Sequence, residues 1–233
     1  QFHPLVWDMN LAFGGFRMAD EGGKLTNEEM QKMSPFLHYK NEKRPLIHQL
    51  LSDDLNRKIY LAQIKTIVEE NFGNDWYKQR IETVQTLIDQ AVQEDSHKLY
   101  PYRDFKANVD STAQAGNAKI VGITELMDAR TSYLLGHPLI EKESPTISEV
   151  THEVVADSLI TINAVAENVE QVWLFCKNNS KAIFQRVELD EKGNNQWTTQ
   201  INYTPTLQYY IVAEAAKTAT LMPKRAGMEY FDM

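Results

Sequence analysis

Basic charge is scarce in this sequence of 233 residues, in which 24 lysines and arginines face 32 aspartates and glutamates. The formal net charge is -8 at pH 7. A surface of that sign offers no basic field to collect nucleic-acid phosphates or anionic lipid. We therefore expect no nucleic-acid partner.

Cysteine and long apolar runs are scarce as well. The one cysteine, Cys176, excludes an internal disulfide and a zinc site built from several cysteines. No apolar run approaches the ~18 residues that a transmembrane helix needs, so we expect no membrane span. The sequence starts at Gln1 without a basic-then-apolar targeting segment, and we expect a fragment or a processed chain.

What the sequence does contain is the composition of a folded protein, with 42% hydrophobic and 10% aromatic residues. Apolar spacing is helical from about residue 52 to 137 and changes to short runs of period two after Pro145. The pattern predicts an α+β multidomain chain with a mainly helical domain at 1–140 and an all-β domain at 145–233. The second domain has the size of an immunoglobulin- or fibronectin-like sandwich.

Helix signals are clearest in the first part. Thr26 and Glu29 have the spacing of a capping box. Ser52-Asp53 precedes a long apolar-periodic segment that ends near Gly73. Further helices are predicted at about 74–92 and 123–135.

The second part contains six or seven runs typical of strands. Cys176 lies in one of them, which favours a buried, inert thiol over a nucleophile. Aromatic residues here have two interpretations, a platform for a sugar or peptide or a place in the core, and alternation favours the core for most of them. These residues are Trp197, Tyr203, Tyr209 and Tyr210.

The amino-terminal residues carry the densest chemical signal. A strand-like run at 5–7 delivers Asp8 into a loop that ends at Gly14-Gly15. Mg²⁺ is often held by one or two carboxylates that leave its other positions to water and phosphates, which makes Asp8 a candidate metal ligand. The alternative is structural, with Asp8 capping a turn and the glycines allowing positive φ.

Four segments resemble the C-terminal half of the spore coat protein H (CotH) kinase family over about residues 2–138. The specific one is Trp7-Asp8-Met9-Asn10-Leu11-Ala12-Phe13-Gly14, and the looser ones are Leu55–Tyr60, Tyr102–Phe105 and Leu126–Leu134. The resemblance implies a secreted or cell-surface atypical protein kinase. It also implies that Asp8 binds Mg²⁺ bridging the phosphates of ATP. Asn10 stands where many relatives have a second aspartate, so we assign it no ligand role.

The resemblance also implies what this chain should not do alone. In the family, the nucleotide-clasping lobe and the catalytic aspartate lie upstream of the motif. The sequence has no Gly-x-Gly-x-x-Gly and no Walker-type lysine loop. We therefore assign no catalytic and no nucleotide-binding residue, and we expect no kinase activity and no bound cofactor in this chain by itself.

Two hypotheses for the complete protein follow. One is phosphate transfer from ATP, with Mg²⁺, to the hydroxyls of a protein substrate, with the sandwich as a spacer or as a docking module for a cell-surface or envelope partner. The other is a non-catalytic surface or adhesion protein with a decayed kinase scaffold. Arg130, on an otherwise apolar helix face, either pairs with a buried carboxylate or reaches into the site, and the structural pairing is favoured.

Overall fold

The computed structural model describes residue 7 and residues 9–19 and 23–233. These fall into two compact units. The helical unit contains the described residues up to Leu37 together with Ile67–His137, and the sheet unit contains His38–Thr66 together with Pro138–Met233. The units are discontinuous in sequence, because residues 38–66 group with the sheets; a domain boundary between 140 and 145 stays a prediction.

The described part of the chain is α+β, with helices first and antiparallel strands after them. The helices follow a 3-10 turn at Met9–Leu11 and are α1 Asn27–Gln31, α2 Pro45–Ser52, α3 Asp54–Ile67, α4 Trp76–Glu94, α5 Tyr102–Ala107 and α6 Ile123–Leu135. A π-helical turn at Val68–Phe72 follows α3.

Local signals explain where these helices begin. The predicted capping box is confirmed, since Thr26 Oγ1 accepts from the Glu29 N–H at 3.2 Å and Glu29 Oε2 accepts from the Thr26 N–H at 2.7 Å. Asp53 Oδ1 accepts from the Asn56 N–H at 2.8 Å and so caps α3 as predicted. Pro45 occupies the first turn of α2, where its missing N–H costs nothing.

The strands form three antiparallel sheets. They are β1 Ala113–Ala115, β2 Ala118–Ile120, β3 Thr146–Ala156, β4 Leu159–Glu167, β5 Gln171–Lys177, β6 Gln185–Glu188, β7 Asp190–Gly193, β8 Gln196–Asn202, β9 Gln208–Glu214, β10 Ala219–Met222 and β11 Phe231–Asp232. Strands β1 and β2 form a hairpin in the helical unit. The sheet unit has one sheet in the order β3-β4-β8-β7 and a second in the order β10-β9-β5-β6, with β11 pairing β9.

The two larger sheets share a hydrophobic core, as the predicted alternation requires. On β4, Ile160, Ile162 and Ala164 are buried, and Cys176 on β5 is buried with them. Nine strands lie after residue 145, where the sequence predicted six or seven. The difference lies in short edge strands such as β7, whose four residues are all exposed and include no large apolar side chain, so they show no apolar alternation to detect.

Helix α3 covers the outer face of the second sheet. Its Leu55 is buried against Val212, Ala219 and Leu221. One turn further along α3, the Lys58 side chain is 8% exposed and its Nζ lies 2.7 Å from Glu214 on β9. The sheet unit therefore has a helix-on-sheet layer outside its sandwich.

The helical unit has its own small core. It consists of Met30 of α1, Leu126 of α6 and Val121, which lies just before α6. Leu25 and Met127 pack around these buried residues. Across the described residues of both units, we find no helix with the length and apolarity to cross a bilayer.

Candidate functional site

The predicted metal ligand, Asp8, lies outside the described residues, and so does the side chain of Asn10. The candidate site is therefore built from its neighbours in the amino-terminal loop, which we define as Trp7 and Met9–Ala19. Trp7 is 86% exposed. The metal role of Asp8 stays a prediction.

The amino-terminal loop turns back on itself directly after its 3-10 turn. The Ala12 N–H donates to the Met9 carbonyl at 3.0 Å, and the Phe16 N–H donates to the Leu11 carbonyl at 3.1 Å. Gly14 has a φ of 78°, a left-handed conformation that favours glycine. The positive φ of the structural alternative is thus confirmed at Gly14, whereas at Gly15 it is wrong.

Gly14 also lets the loop approach the core of the helical unit. A Cβ at this position would lie 2.5 Å from Val121 Cγ1 and 3.1 Å from Leu126 Cδ2. Real Cβ atoms do not come that close, so only a residue without a side chain allows this contact. The Phe-Gly end of the motif is therefore fixed against the residues that begin α6.

A chain of polar contacts holds the other end of the loop. Arg17 donates through Nη2 to Asn27 Oδ1 at 2.5 Å and through Nη1 to the Leu25 carbonyl at 3.1 Å. Asn27 in turn donates to Glu125 Oε1 at 2.9 Å. The loop, α1 and α6 are thereby joined through three side chains.

Glu125 is the centre of this arrangement. Its carboxylate also accepts from Thr112 Oγ1 at 2.8 Å and from the Gly122 N–H at 3.3 Å. Burial alone would raise the pKa of Glu125, but these hydrogen bonds to the charged form outweigh it and hold the pKa below its ordinary value. The carboxylate is therefore ionised at neutral pH and acts as a structural acceptor.

Gly122 brings two backbone segments into contact at the start of α6. A Cβ on Gly122 would lie 2.5 Å from the Ser111 backbone nitrogen. Sequence reasoning singled out neither Gly122, Glu125 nor Arg17. Gly122 and Glu125 could have been found, because a glycine followed three residues later by a glutamate is a signal for a helix start. No sequence signal pointed to Arg17.

Arg130 makes structural contacts, as the sequence favoured, but these contacts are to backbone carbonyls, where the predicted partner was a buried carboxylate. Its Nη1 donates to the Met33 carbonyl at 2.7 Å and lies 3.3 Å from the Gln31 carbonyl. These carbonyls follow or end α1, where helix geometry leaves carbonyls without partners. Arg130 therefore satisfies the C-terminal end of α1.

The other segments of the resemblance have structural contacts as well. Lys58, in the Leu55–Tyr60 segment, belongs to the sheet unit, whereas the remaining segments belong to the helical unit. In the helical unit, the Tyr102 hydroxyl donates to Asp89 at 2.7 Å, and Tyr77 donates to Asp128 at 2.5 Å. Burial and then Asp128 raise the pKa of Tyr77 well above its ordinary value, which keeps the phenol protonated as a donor.

The core interpretation that alternation favoured for the aromatic residues of the sheet unit is confirmed for Trp197, Tyr209 and Tyr210. Trp197 and Tyr209 are buried in the sandwich. Tyr210 stacks on Phe175 with ring centroids 4.9 Å apart, on the face that α3 covers. Burial raises the pKa of Tyr210 to about 12. These aromatic residues therefore stabilise the sheet unit.

The described residues do not bring together the donors of a metal centre. Within the described ranges, no group of three or more His, Cys, Asp or Glu side chains could hold one. A single carboxylate at Asp8 is the donor chemistry that suits Mg²⁺, which takes one or two carboxylates and leaves room for phosphate oxygens. The Mg²⁺ role of Asp8 therefore stays a prediction from its residue type and motif.

Comparison with protein families decides which kind of domain carries this loop. The family model described as CotH kinase protein matches residues 1–134, more than half of the 233 residues. The chain belongs to the CotH kinase protein family. The matched range of this CotH-family chain includes the amino-terminal loop and α1 to α6, and the β-rich region follows it.

Solved structures give only distant likenesses to the CotH-family chain. A pullulanase mutant from Paenibacillus barengoltzii complexed with maltotetraose is 9% identical, with a TM-score of 0.27, and the match covers 32% of this chain and 12% of that one. Pullulanase from Bacillus acidopullulyticus is 15% identical, with a TM-score of 0.26 and coverages of 38% and 11%. A bromine derivative of BhCBM56 is 14% identical, with a TM-score of 0.29 and coverages of 36% and 87%.

These TM-scores support no conclusion about fold or function. The chain spans about one eighth of the pullulanases that it matches. The curated proteins contain no match.

Proposed function

We propose that the CotH-family domain of this chain serves a protein kinase, in which the complete protein transfers the terminal phosphate of ATP to hydroxyls of a protein substrate. The family match over residues 1–134, which includes the Trp-Asp-x-Asn-x-x-Phe-Gly motif, is the observation that carries the proposal. The proposed location is secreted or at the cell surface.

Asp8 is the residue proposed to hold Mg²⁺. A magnesium ion on the nucleotide phosphates would neutralise charge that develops during transfer. The neighbouring residues have a positioning role. Gly14 fixes one end of the amino-terminal loop against Val121 and Leu126. Arg17 fixes the other end through Asn27 and Glu125. No residue of this chain is proposed as the catalytic base or as the phosphate-binding lysine.

The test is a phosphate-transfer assay on the full-length protein with Mg²⁺ and ATP labelled at the γ-phosphate. The variant Asp8→Asn keeps the shape of the side chain and removes its charge. We expect the wild-type protein to label protein hydroxyls. The labelling rate of Asp8→Asn should be at least a hundredfold lower. The matched control is Asp53→Asn, because asparagine caps a helix about as well as aspartate.

The second candidate is a non-catalytic surface or adhesion protein whose sheet unit does the binding. The lack of a Gly-x-Gly-x-x-Gly loop in these 233 residues is compatible with both candidates, because the kinase hypothesis places the nucleotide-clasping lobe upstream of the motif. Full-length protein that neither labels a substrate nor binds MgATP would favour this candidate. Labelling that Asp8→Asn leaves intact would reject the metal role of Asp8.

A further inference from the structure

The helical unit contains a large apolar groove that the kinase proposal does not use. Its volume is about 620 Å³, and we name it the α4 groove because α4 forms its longest wall. Its lining includes Trp76, Arg80, Ile81, Val84, Ile88 and Phe105. Concave apolar sites of about 300–1,000 Å³ are typical of small-molecule binding.

One row of residues runs along the groove. Trp76, Arg80, Val84 and Ile88 follow each other at intervals of four and so share one face of α4. Twelve residues of helix extend about 18 Å. Trp76 is 50% exposed, Val84 37% and Ile88 39%, which is unusual for large apolar side chains in a row. The groove therefore has an elongated apolar wall open to solvent.

Most polar groups along the groove are already engaged within the protein. Four lining side chains donate hydrogen bonds to backbone carbonyls or to a carboxylate; they are Asn71, Tyr77, Gln85 and Asn108. These four donors are therefore not available to a ligand in the groove.

Three side-chain donors on the described lining remain, the Tyr100 hydroxyl and, at the amino-terminal end of α4, the Arg80 guanidinium and the Trp76 indole N–H. Neither the Arg80 guanidinium nor the Trp76 indole N–H makes a hydrogen bond or ion pair with another described residue. They lie one helical turn apart on α4. Arg80 is also the only charged residue among the described residues that line the groove. Two unengaged donors, one of them a cation, form a place for an anionic acceptor.

We propose that the α4 groove binds an amphiphile with one extended hydrocarbon chain and one carboxylate. The carboxylate pairs with Arg80 and Trp76, and the hydrocarbon chain lies along Val84 and Ile88. Charge complementarity favours this occupant, because Arg80 places one cation at the end of a described lining that carries no other charge. The groove volume favours it over a protein segment.

The experiment is calorimetric titration of the chain with dodecanoate below its micelle concentration. Dodecanol and dodecyltrimethylammonium are the comparison probes, since both keep the hydrocarbon chain while one removes the charge and the other reverses it. We expect saturable binding of one dodecanoate, about tenfold weaker binding of dodecanol and no saturable binding of the cation.

Paired variants locate the binding. Val84→Glu places an anion on the groove wall, whereas Leu87→Glu places one on the same helix at a side chain that is 82% exposed and outside the lining. Val84→Glu should abolish dodecanoate binding and Leu87→Glu should preserve it. Arg80→Gln should weaken it about tenfold, and Arg103→Gln, on an exposed arginine outside the groove, should not. Circular dichroism of each variant checks folding.

Three results would overturn the proposal. They are the lack of saturable dodecanoate binding by wild type, equal affinity for dodecanoate and dodecanol, and unchanged dodecanoate affinity in Arg80→Gln. Concentration-dependent dimerisation that Val84→Glu disrupts, without dodecanoate binding, would assign the groove to a second copy.

Discussion

At the scale of single residues, Gly14 shows how tightly the amino-terminal loop is held. Gly14→Ala adds a Cβ 2.5 Å from Val121 Cγ1 at a backbone φ of 78°. The clash and the left-handed conformation together should lower the free energy of unfolding by about 3 kcal/mol. Urea denaturation followed by circular dichroism measures the change.

Gly116→Ala separates the two causes. Gly116 also has a positive φ, 57°, but a Cβ there would meet no atom within 4 Å. This variant should cost only about 1 kcal/mol. If the two variants are destabilised equally, the close contact of Gly14 with Val121 is not what fixes the loop.

The contribution of Glu125 to the free energy of unfolding should depend on pH. Its pKa in the folded chain lies below the ordinary value of 4.5, so its contribution to stability is present above that pH and is lost as pH falls through the folded pKa. Glu125→Gln should lower the free energy of unfolding at pH 7 by about 1–2 kcal/mol. The deficit relative to wild type should shrink below about pH 4.

Unfolding measured from pH 7 to pH 3 tests this expectation. Glu82→Gln is the control, because Glu82 is an exposed residue of α4. A Glu125→Gln deficit that stays constant over this range would show that the carboxylate charge contributes nothing.

At the scale of elements, α3 is held to the sheet by charge as well as by apolar contact. Lys58 Nζ lies 2.7 Å from both Asp54 and Glu214, and Trp173 Nε1 donates to Glu214 at 2.7 Å. Burial lowers the pKa of Lys58, but its hydrogen bonds to the two carboxylates outweigh this and raise the pKa above its ordinary value. Lys58 is therefore charged in the folded chain.

Removing the charge of Lys58 should leave Glu214 poorly compensated. We expect Lys58→Met to lower the free energy of unfolding by about 3 kcal/mol, and the double variant Lys58→Met with Glu214→Gln to lower it by less. Thermal unfolding of the double variant and of both single variants, beside the exposed-lysine control Lys217→Met, measures the coupling. A double variant as unstable as the sum of its single variants would rule the coupling out.

Elements were predictable where their signals are local. The alternation of Ile160, Ile162 and Ala164 predicted a buried strand face, and Thr26 with Glu29 predicted a helix start. The hairpin of β1 and β2 went unpredicted, although Gly116 begins a two-residue turn typical of hairpins. The ion pair of Lys58 with Glu214 lacked any local signal, because the two residues are 156 positions apart.

At the scale of the whole molecule, the two compact units are not continuous stretches of the sequence. Residues 38–66 belong to the range that the CotH model matches and also to the sheet unit. Hydrophobic periodicity detects a helix but not which surface covers it, so the sequence could not assign Leu55 to the sheet. The candidate ligand Asp8 was identified from a sequence motif, and its binding of Mg²⁺ stays a prediction.

Truncation tests this organisation. A chain of residues 1–140 keeps α3 but removes the strands against which Leu55, Ile59 and Ala62 pack. We expect this fragment to lose helical circular dichroism from α3 and to bind an apolar dye such as anilinonaphthalene sulfonate more strongly than the chain of 233 residues does. A fragment with the full helical signal and no added dye binding would contradict the grouping of residues 38–66 with the sheets.

The central claim concerns the carboxylate of Asp8, and calorimetric titration of MgATP into the full-length protein tests it most directly. Wild type should bind one MgATP, Asp53→Asn should bind it equally, and Asp8→Asn should lose at least tenfold in affinity. Affinity should also fall when Mg²⁺ is removed from wild type. Equal, Mg²⁺-independent binding of ATP by wild type and Asp8→Asn would contradict the claim.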